Sequence, residues 1–249
     1  MKGNKLFYDE DCNTLLYRFS PQNIEEGMYE WFEYLFSTEI DVIGYVILNN
    51  DLCFGKDIPS AEIAGSRFKK FDNSSLWIQK RSLLALFEKN TDILHIACKV
   101  ARKHNKTILG QMRMSDAHHA QELEHTSMDF LCPRIVHDHP EWRIVREIEG
   151  YKDWLLDYTY TEVRDLRLKM LRELAENYDI DGIQFCWMRW CRHFARSKQR
   201  ERAPILTEFL RSIREMLDEV GMKKKKRMLM VHQVAAELDE CLNIGCDVT

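Results

Sequence analysis

Apolar and polar positions along the chain switch repeatedly between two periods: short alternating or wholly apolar runs, and longer stretches with one apolar face in 3.6. That switching predicts strands alternating with helices, the βα units of a parallel sheet. "TLLYRF" (14–19) predicts the first strand. "NIEEGMYEWFEYLF" then puts Ile24, Met28, Trp31, Phe32 and Leu35 on one helical face, with Asn23 as its cap and Glu25 and Glu26 in the first turn, where the exposed N–H groups favour acids. "DVIGYVIL" (41–48) is the second strand. A long irregular region follows, holding "NNDLCFGKDIPSAE" and "FDNSSLWIQ"; connections of that length either carry function or are surface insertions. The helix in "TDILHIACKVARKHN" turns Ile93, Ile96, Ala97 and Val100 inward behind Thr91 and Asp92, and "TILGQMRM" (107–114) is the third strand.

Beyond a His-rich loop, "DWLLDYT" (153–159) predicts the fourth strand, and 161–178 its helix, with Val163, Leu166, Met170, Leu171 and Leu174 on one side. "DGIQFCWM" is the fifth strand, "APILTEFLRSIREMLDEVG" a helix closed by Gly221, "MLMVHQ" the sixth strand and "AAELDECLN" the sixth helix. The expected architecture is therefore α/β, a parallel (β/α) barrel of TIM type built as one domain over 1–249. Closure of such a barrel takes eight strands, so about six βα units leave the last two units lacking. Such an arc has unpaired edges, and a second copy of the chain in a homo-oligomer is one way to cover them.

Composition narrows the field only slightly. A charged content of 31% and a net charge of -4 give no electrostatic reason to expect nucleic acid, and the run "KKKKR" (223–227) reads as a solvated turn. No segment has the apolar length of a signal peptide or a membrane span, so the expectation is a cytoplasmic protein with no membrane partner. The 8 cysteines form no C-x-x-C pair, and they read as reduced thiols packed in the core rather than as a zinc site. Neither a metal nor a cofactor is expected.

In a parallel barrel, alternate side chains face the helix layer and the interior, and reactive groups collect at the C-terminal ends of the strands. In "DIDGIQFCWMR", Ile183, Phe185 and Trp187 form the helix-facing row, so Gln184, Cys186 and Met188 point inward and Arg189 stands at the mouth. The third strand ends with Arg113, Asp116, His118 and His119 in the same position. Read alone, that stretch is equally a polar loop with two solvent-facing imidazoles, and a histidine metal site is the weaker third option. Asp157 and Tyr158 end the fourth strand, where Asp157 is a site acid or a cap for the following helix. Trp142, after the turn fixed by Pro140, is a packing residue or a sugar platform.

Taken together, "CNTLLYRF", "RMSDAHH", "HPEWR", "LDYTYTEVRDLRL", "YDIDGIQFCWMR" and "DECLNIGCDV" resemble a group of bacterial (β/α)8-barrel proteins described as glycosyl-hydrolase-like. The resemblance runs over nearly the whole chain and is strongest from Thr107 to Arg189. It implies hydrolysis of O-glycosidic bonds, with Asp116 and Asp157 as acid and base or nucleophile and with Arg113, His118, His119, Tyr158, Gln184 and Arg189 holding the sugar. It also implies a barrel that continues into a seventh strand. One departure stands out: the similar proteins carry an acid where this chain has Gln184, and a second acid nearby. Glycoside hydrolysis needs two carboxyl groups, and a glutamine supplies neither a proton nor a nucleophile. The alternative implied is a barrel that binds carbohydrate without turning it over.

Overall fold

The computed structural model of the chain describes residues 5–11, 15–47, 74–115, 134–148 and 151–248. In order, its elements are β1 (Phe7–Asp11), α1 (Ile24–Phe36), β2 (Val42–Val46), α2 (Ser74–Glu88), α3 (Ile93–Lys103) and β3 (Thr107–Arg113). The short α4 (Arg134–Asp138), the strands β4 (Arg143–Ile148) and β5 (Tyr151–Leu156), and α5 (Thr161–Asn177) follow. Last come β6 (Gly182–Cys186), α6 (Gln199–Lys224), β7 (Leu229–Gln233) and α7 (Leu238–Asn243). Five strands pair in parallel in the order β1-β2-β3-β6-β7. This is the expected α/β class, a parallel sheet with helices between its strands.

Five details differ from the sequence reading. Leu15 and Leu16 lie in a buried helical turn, and the first strand is the earlier "FYDED". An apolar run that short fits either state by period alone. The expected fourth strand stops at Leu156 and pairs antiparallel with β4, which leaves β6 directly beside β3. A strand just upstream captures it through local antiparallel pairing, which needs no crossover. Part of the expected irregular region is helix α2, whose buried face of Leu76, Gln79, Ser82, Leu83 and Leu86 includes two polar residues that disguise its period. Helix α6 runs past Gly221 to Lys224 and ends with Lys225 in the left-handed conformation, while Asn23 makes no side-chain cap bond to α1.

The helix-facing row of the sheet builds the core. Ile43 and Tyr45 of β2, Ile108 and Met112 of β3, and Ile183 and Phe185 of β6 join Phe32, Ile96, Val100, Met170, Leu174 and Ile213 from the helices in one buried cluster. Cys98 packs there too, and burial pushes its thiol up to about 12. At the N-terminal end of the strands, Asp181 ties neighbours together. Its carboxylate accepts from the Ile108 N–H (2.9 Å) and from Arg102 (3.0 Å), its own N–H donates to Ile108 O, and its carbonyl accepts from Leu229 N. Asp92 does the same for helices: it caps α3 through the His95 N–H (2.8 Å) and accepts the hydroxyl of Tyr178, just beyond α5, at 2.5 Å. Among the described residues, no helix is long and apolar enough to cross a membrane.

On the helix side of β1, Glu10 is only 4% exposed, and its Oε2 accepts from Trp31 Nε1 (3.0 Å) and Tyr8 Oη (3.2 Å). Burial raises the affinity of its carboxyl for a proton, and this outweighs the two hydrogen bonds that favour the carboxylate. A carboxyl raised on folding favours the folded state while it is protonated; that contribution fades as pH climbs from the ordinary glutamate range through the raised value. Glu10→Gln keeps an acceptor for Trp31 and removes the desolvated charge. Thermal denaturation should therefore give the variant the higher Tm at pH 7, by a few degrees at about 2–4 °C per kcal/mol, with the two proteins converging near about pH 4. A gap that widens toward acid would mean that the carboxylate itself stabilises the fold.

Candidate functional site

The inner row of the sheet is polar toward its C-terminal end. Register places Asp11 beside Val46, Val46 beside Gln111, Gln111 beside Gln184, and Arg113 beside Cys186, itself beside Gln233. Asp11, Val46, Gln111, Arg113, Cys186 and Gln233, with Asp9, Met188 and Arg189, border a cleft of about 340 Å³. Below them the row turns apolar, through Val42 and Leu109, down to the exposed Phe7 and Leu229 on the two outer strands.

One contact reaches from β6 to β1 across the inner face. Gln184 Nε2 donates to Asp9 Oδ1 at 3.0 Å. β1 and β6 are three strand steps apart, about 14 Å in a flat sheet, which is more than an aspartate and a glutamine can span. The sheet must therefore curl, bringing both side chains together above β2, the strand next to β1. Gly44 makes the space: a Cβ there would lie 2.0 Å from Gln184 Oε1 and 2.6 Å from Asp9 Oδ1. A carboxylate can only accept, so the amide must turn its N–H to Asp9 and leave Oε1 facing away.

Opposite this pair, Arg113 Nη2 donates to Asp11 Oδ2 at 2.9 Å, a half-exposed ion pair that neutralises the second acid of the cleft. Arg189 stands at the rim with its guanidinium 5.9 Å from the Trp190 ring centre. Gln184 Oε1 and Gln111 Nε2 on this inner row have no hydrogen-bond partner among the described residues, and the two residues are 5% and 3% exposed. Among the described residues, no group of three or more His, Cys, Asp or Glu is placed to hold a metal ion.

Of the residues expected from sequence, Arg113 and Arg189 border this cleft, and Gln184 is bonded to its Asp9. Asp157 does not line it: its Oδ1 accepts from the Thr159 N–H at 2.8 Å, shaping the turn into α5, and Arg202 lies 3.8 Å from Oδ2. Tyr158 is wholly buried, packed against Trp187, His193 and Phe209, and donates to Met114 O at 2.5 Å. It braces the end of β3 from behind, so contact with a ligand is closed to it. Asp116, His118 and His119 lie outside the described residues. Behind the cleft, Ser115 Oγ and His193 Nδ1 share a 2.6 Å hydrogen bond, and burial holds the imidazole neutral by pushing it down to about 3.

The sequence reading missed Asp9, Asp11, Gln111 and Gln233. A signal existed for three of them. In "FYDED" Asp9 and Asp11 share one strand face, and in "TILGQMRM" Gln111 alternates with Arg113, the same parity that drew attention to Gln184.

No family model matches this chain, and no curated protein matches its sequence. Solved structures match its fold. The glycoside hydrolase domain of PgaB (BpsB) from Bordetella bronchiseptica aligns with a TM-score of 0.55 at 9% identity, over 99% of this chain and 70% of that one. A noncanonic maltogenic α-amylase, AmyB from Thermotoga neapolitana, aligns at 0.51 and 17% identity over 92% of this chain. A hypothetical protein from Ruminiclostridium thermocellum aligns at 0.50 and 15% identity, over 92% of this chain and 97% of its own. The chain shares the fold of these structures. At these identities the fold is what is shared, and the chain spans 45% of the amylase's length.

Gly44→Ala tests the crossing contact. Both obstructing atoms end flexible side chains, so the protein should stay folded and lose roughly one hydrogen bond's worth of stability, about 0.5–1.5 kcal/mol. Adding Gln184→Ala should recover most of the clash, read as a positive coupling in a double-mutant cycle of denaturant midpoints. Strictly additive losses would place the Gly44 constraint elsewhere.

Proposed function

We propose that this protein acts on carbohydrate in the manner of a glycoside hydrolase, cleaving O-glycosidic bonds in the cleft at the C-terminal ends of its parallel strands. The observation that carries the proposal is the cleft's inventory: two carboxylates, two guanidinium groups and two glutamines from three different strands and the loop after β6, with Gln184 bonded to Asp9 beside them. Such groups match a sugar, whose hydroxyls both donate and accept, and they occupy the end of the sheet where parallel barrels keep their active sites. Asp9 faces the cleft as the base or nucleophile. Asp116, one residue beyond Ser115, is the proposed proton donor: its O–H passes to the glycosidic oxygen as the bond to the anomeric carbon breaks. Arg113, Gln184 and Arg189 orient the ring, and His118 and His119 follow Asp116 as further candidates for holding the sugar.

A second reading has its own support, binding without turnover. Gln184 sits 3.0 Å from Asp9. A glutamate in the same pose would share one proton with Asp9 rather than form the ~5–5.5 Å pair of a retaining enzyme. The amide removes that proton and leaves a hydrogen-bonding floor.

Hydrolysis of a panel of α- and β-linked 4-nitrophenyl hexosides separates the two. Turnover by the parent that falls about 10²–10⁴-fold in Asp9→Asn and again in Asp116→Asn supports catalysis. Saccharide binding by calorimetry with no turnover supports the second reading. A protein that neither binds nor cleaves any member of the panel removes both.

A further inference from the structure

Helix α7 is closed by two hydrogen bonds, from Cys246 N–H to Cys241 O at 2.9 Å and from Gly245 N–H to Leu242 O at 3.0 Å, around Gly245 at φ +83°. In this form of helix closure the residue two places past the cap packs on the residue three places before it. With Ile244 as the cap, those two residues are Cys246 and Cys241. Both are buried, at 7% and 1% exposure, and both thiols are free. A backbone bond of that length sets the two Cα atoms on the order of 5–6 Å apart, inside the roughly 4.4–6.8 Å that a disulfide spans. Burial pushes the Cys246 thiol up to about 12, and Cys241 is the first of the neighbouring groups that add to the shift.

The turn also rests on the scaffold behind the cleft. A Cβ on Gly245 would lie 2.9 Å from both Gln199 Oε1 and the Phe194 ring. Gln199 in turn donates through Nε2 to Phe194 O and accepts the His193 N–H at 3.4 Å, and His193 is the partner of Ser115. We infer that Cys241 and Cys246 are a redox-sensitive clamp, in which oxidation by a low-molecular-weight disulfide such as oxidised glutathione joins their sulfurs and locks this turn in its closed form. One cysteine thiolate attacks a sulfur of glutathione disulfide, breaking that S–S bond and releasing a glutathione thiolate. The second cysteine thiolate attacks the protein sulfur of the mixed disulfide and releases the other glutathione. Two protein thiols are oxidised, one disulfide is reduced to two thiols, and the two protons end on the departing sulfurs. Burial keeps the thiols of the closed turn protonated, so exchange passes through its local opening.

The test incubates the full chain to equilibrium in buffers of graded glutathione ratio, reduced squared over oxidised, approached from both the reduced and the oxidised side. A parallel series is run in denaturing guanidinium chloride. After acid quenching, alkylation and trypsin cleavage, both cysteines lie in the single peptide 228–249. Its closed form is lighter by two hydrogens and takes no alkyl group. The ratio at half closure should be at least 10-fold higher for the folded chain than for the unfolded one, because the closed turn holds the two sulfurs together. A folded midpoint equal to or below the unfolded one would overturn the inference, as would a peptide that stops at the glutathione adduct. A cross-link from this peptide to Cys191 would also overturn it, by assigning the redox pair elsewhere. The comparison uses the parent sequence throughout, so no variant has to fold.

Discussion

Curvature of the parallel sheet is the constraint on which the other features rest, and the bond from Gln184 to Asp9 is its most direct record. Strand twist gives a sheet its tendency to coil, but it sets no radius. The radius here has to bring a four-atom amide side chain from β6 to a carboxylate on β1, above a strand that has given up its own side chain at Gly44. Inside that curve the polar row becomes a cleft; on a flat sheet the same residues would be scattered across a surface.

The two ends of the strands divide their work. At the N-terminal end, Asp181 satisfies backbone groups of β3 and β7 and binds Arg102 of α3, so its carboxylate is consumed by the fold. At the C-terminal end, donors and acceptors are left over. Among the described residues, Gln111 Nε2 and Gln184 Oε1 lack partners there, and an unsatisfied buried amide destabilises a fold. The neutral Ser115–His193 pair and the buried Tyr158 belong to the scaffold that holds this end in place.

Much of this was legible in the sequence. Alternation in 182–188 separated the packing row from the inner row, and Gln184 lies on the inner face, bonded to Asp9, as that parity requires. The helices with a clean apolar stripe were legible as well. What escaped has physical causes. Strand β1 carries acids on its inner face, so it does not look apolar; α2 buries Gln79 and Ser82; and β5 was drawn from the parallel sheet by pairing with β4, a competition that local period does not encode. Asp157 carried both readings in the sequence, and its bond to the Thr159 N–H shows a carboxylate occupied with turn geometry.

The shared carboxylate of Asp92 has a mechanical consequence for the outer layer. One oxygen holds the first turn of α3 and the other holds the tyrosine that terminates α5, so two helices from different βα units are anchored to one point. Fraying at either end withdraws a partner from the other. Both should therefore breathe together, like two slats on a common hinge.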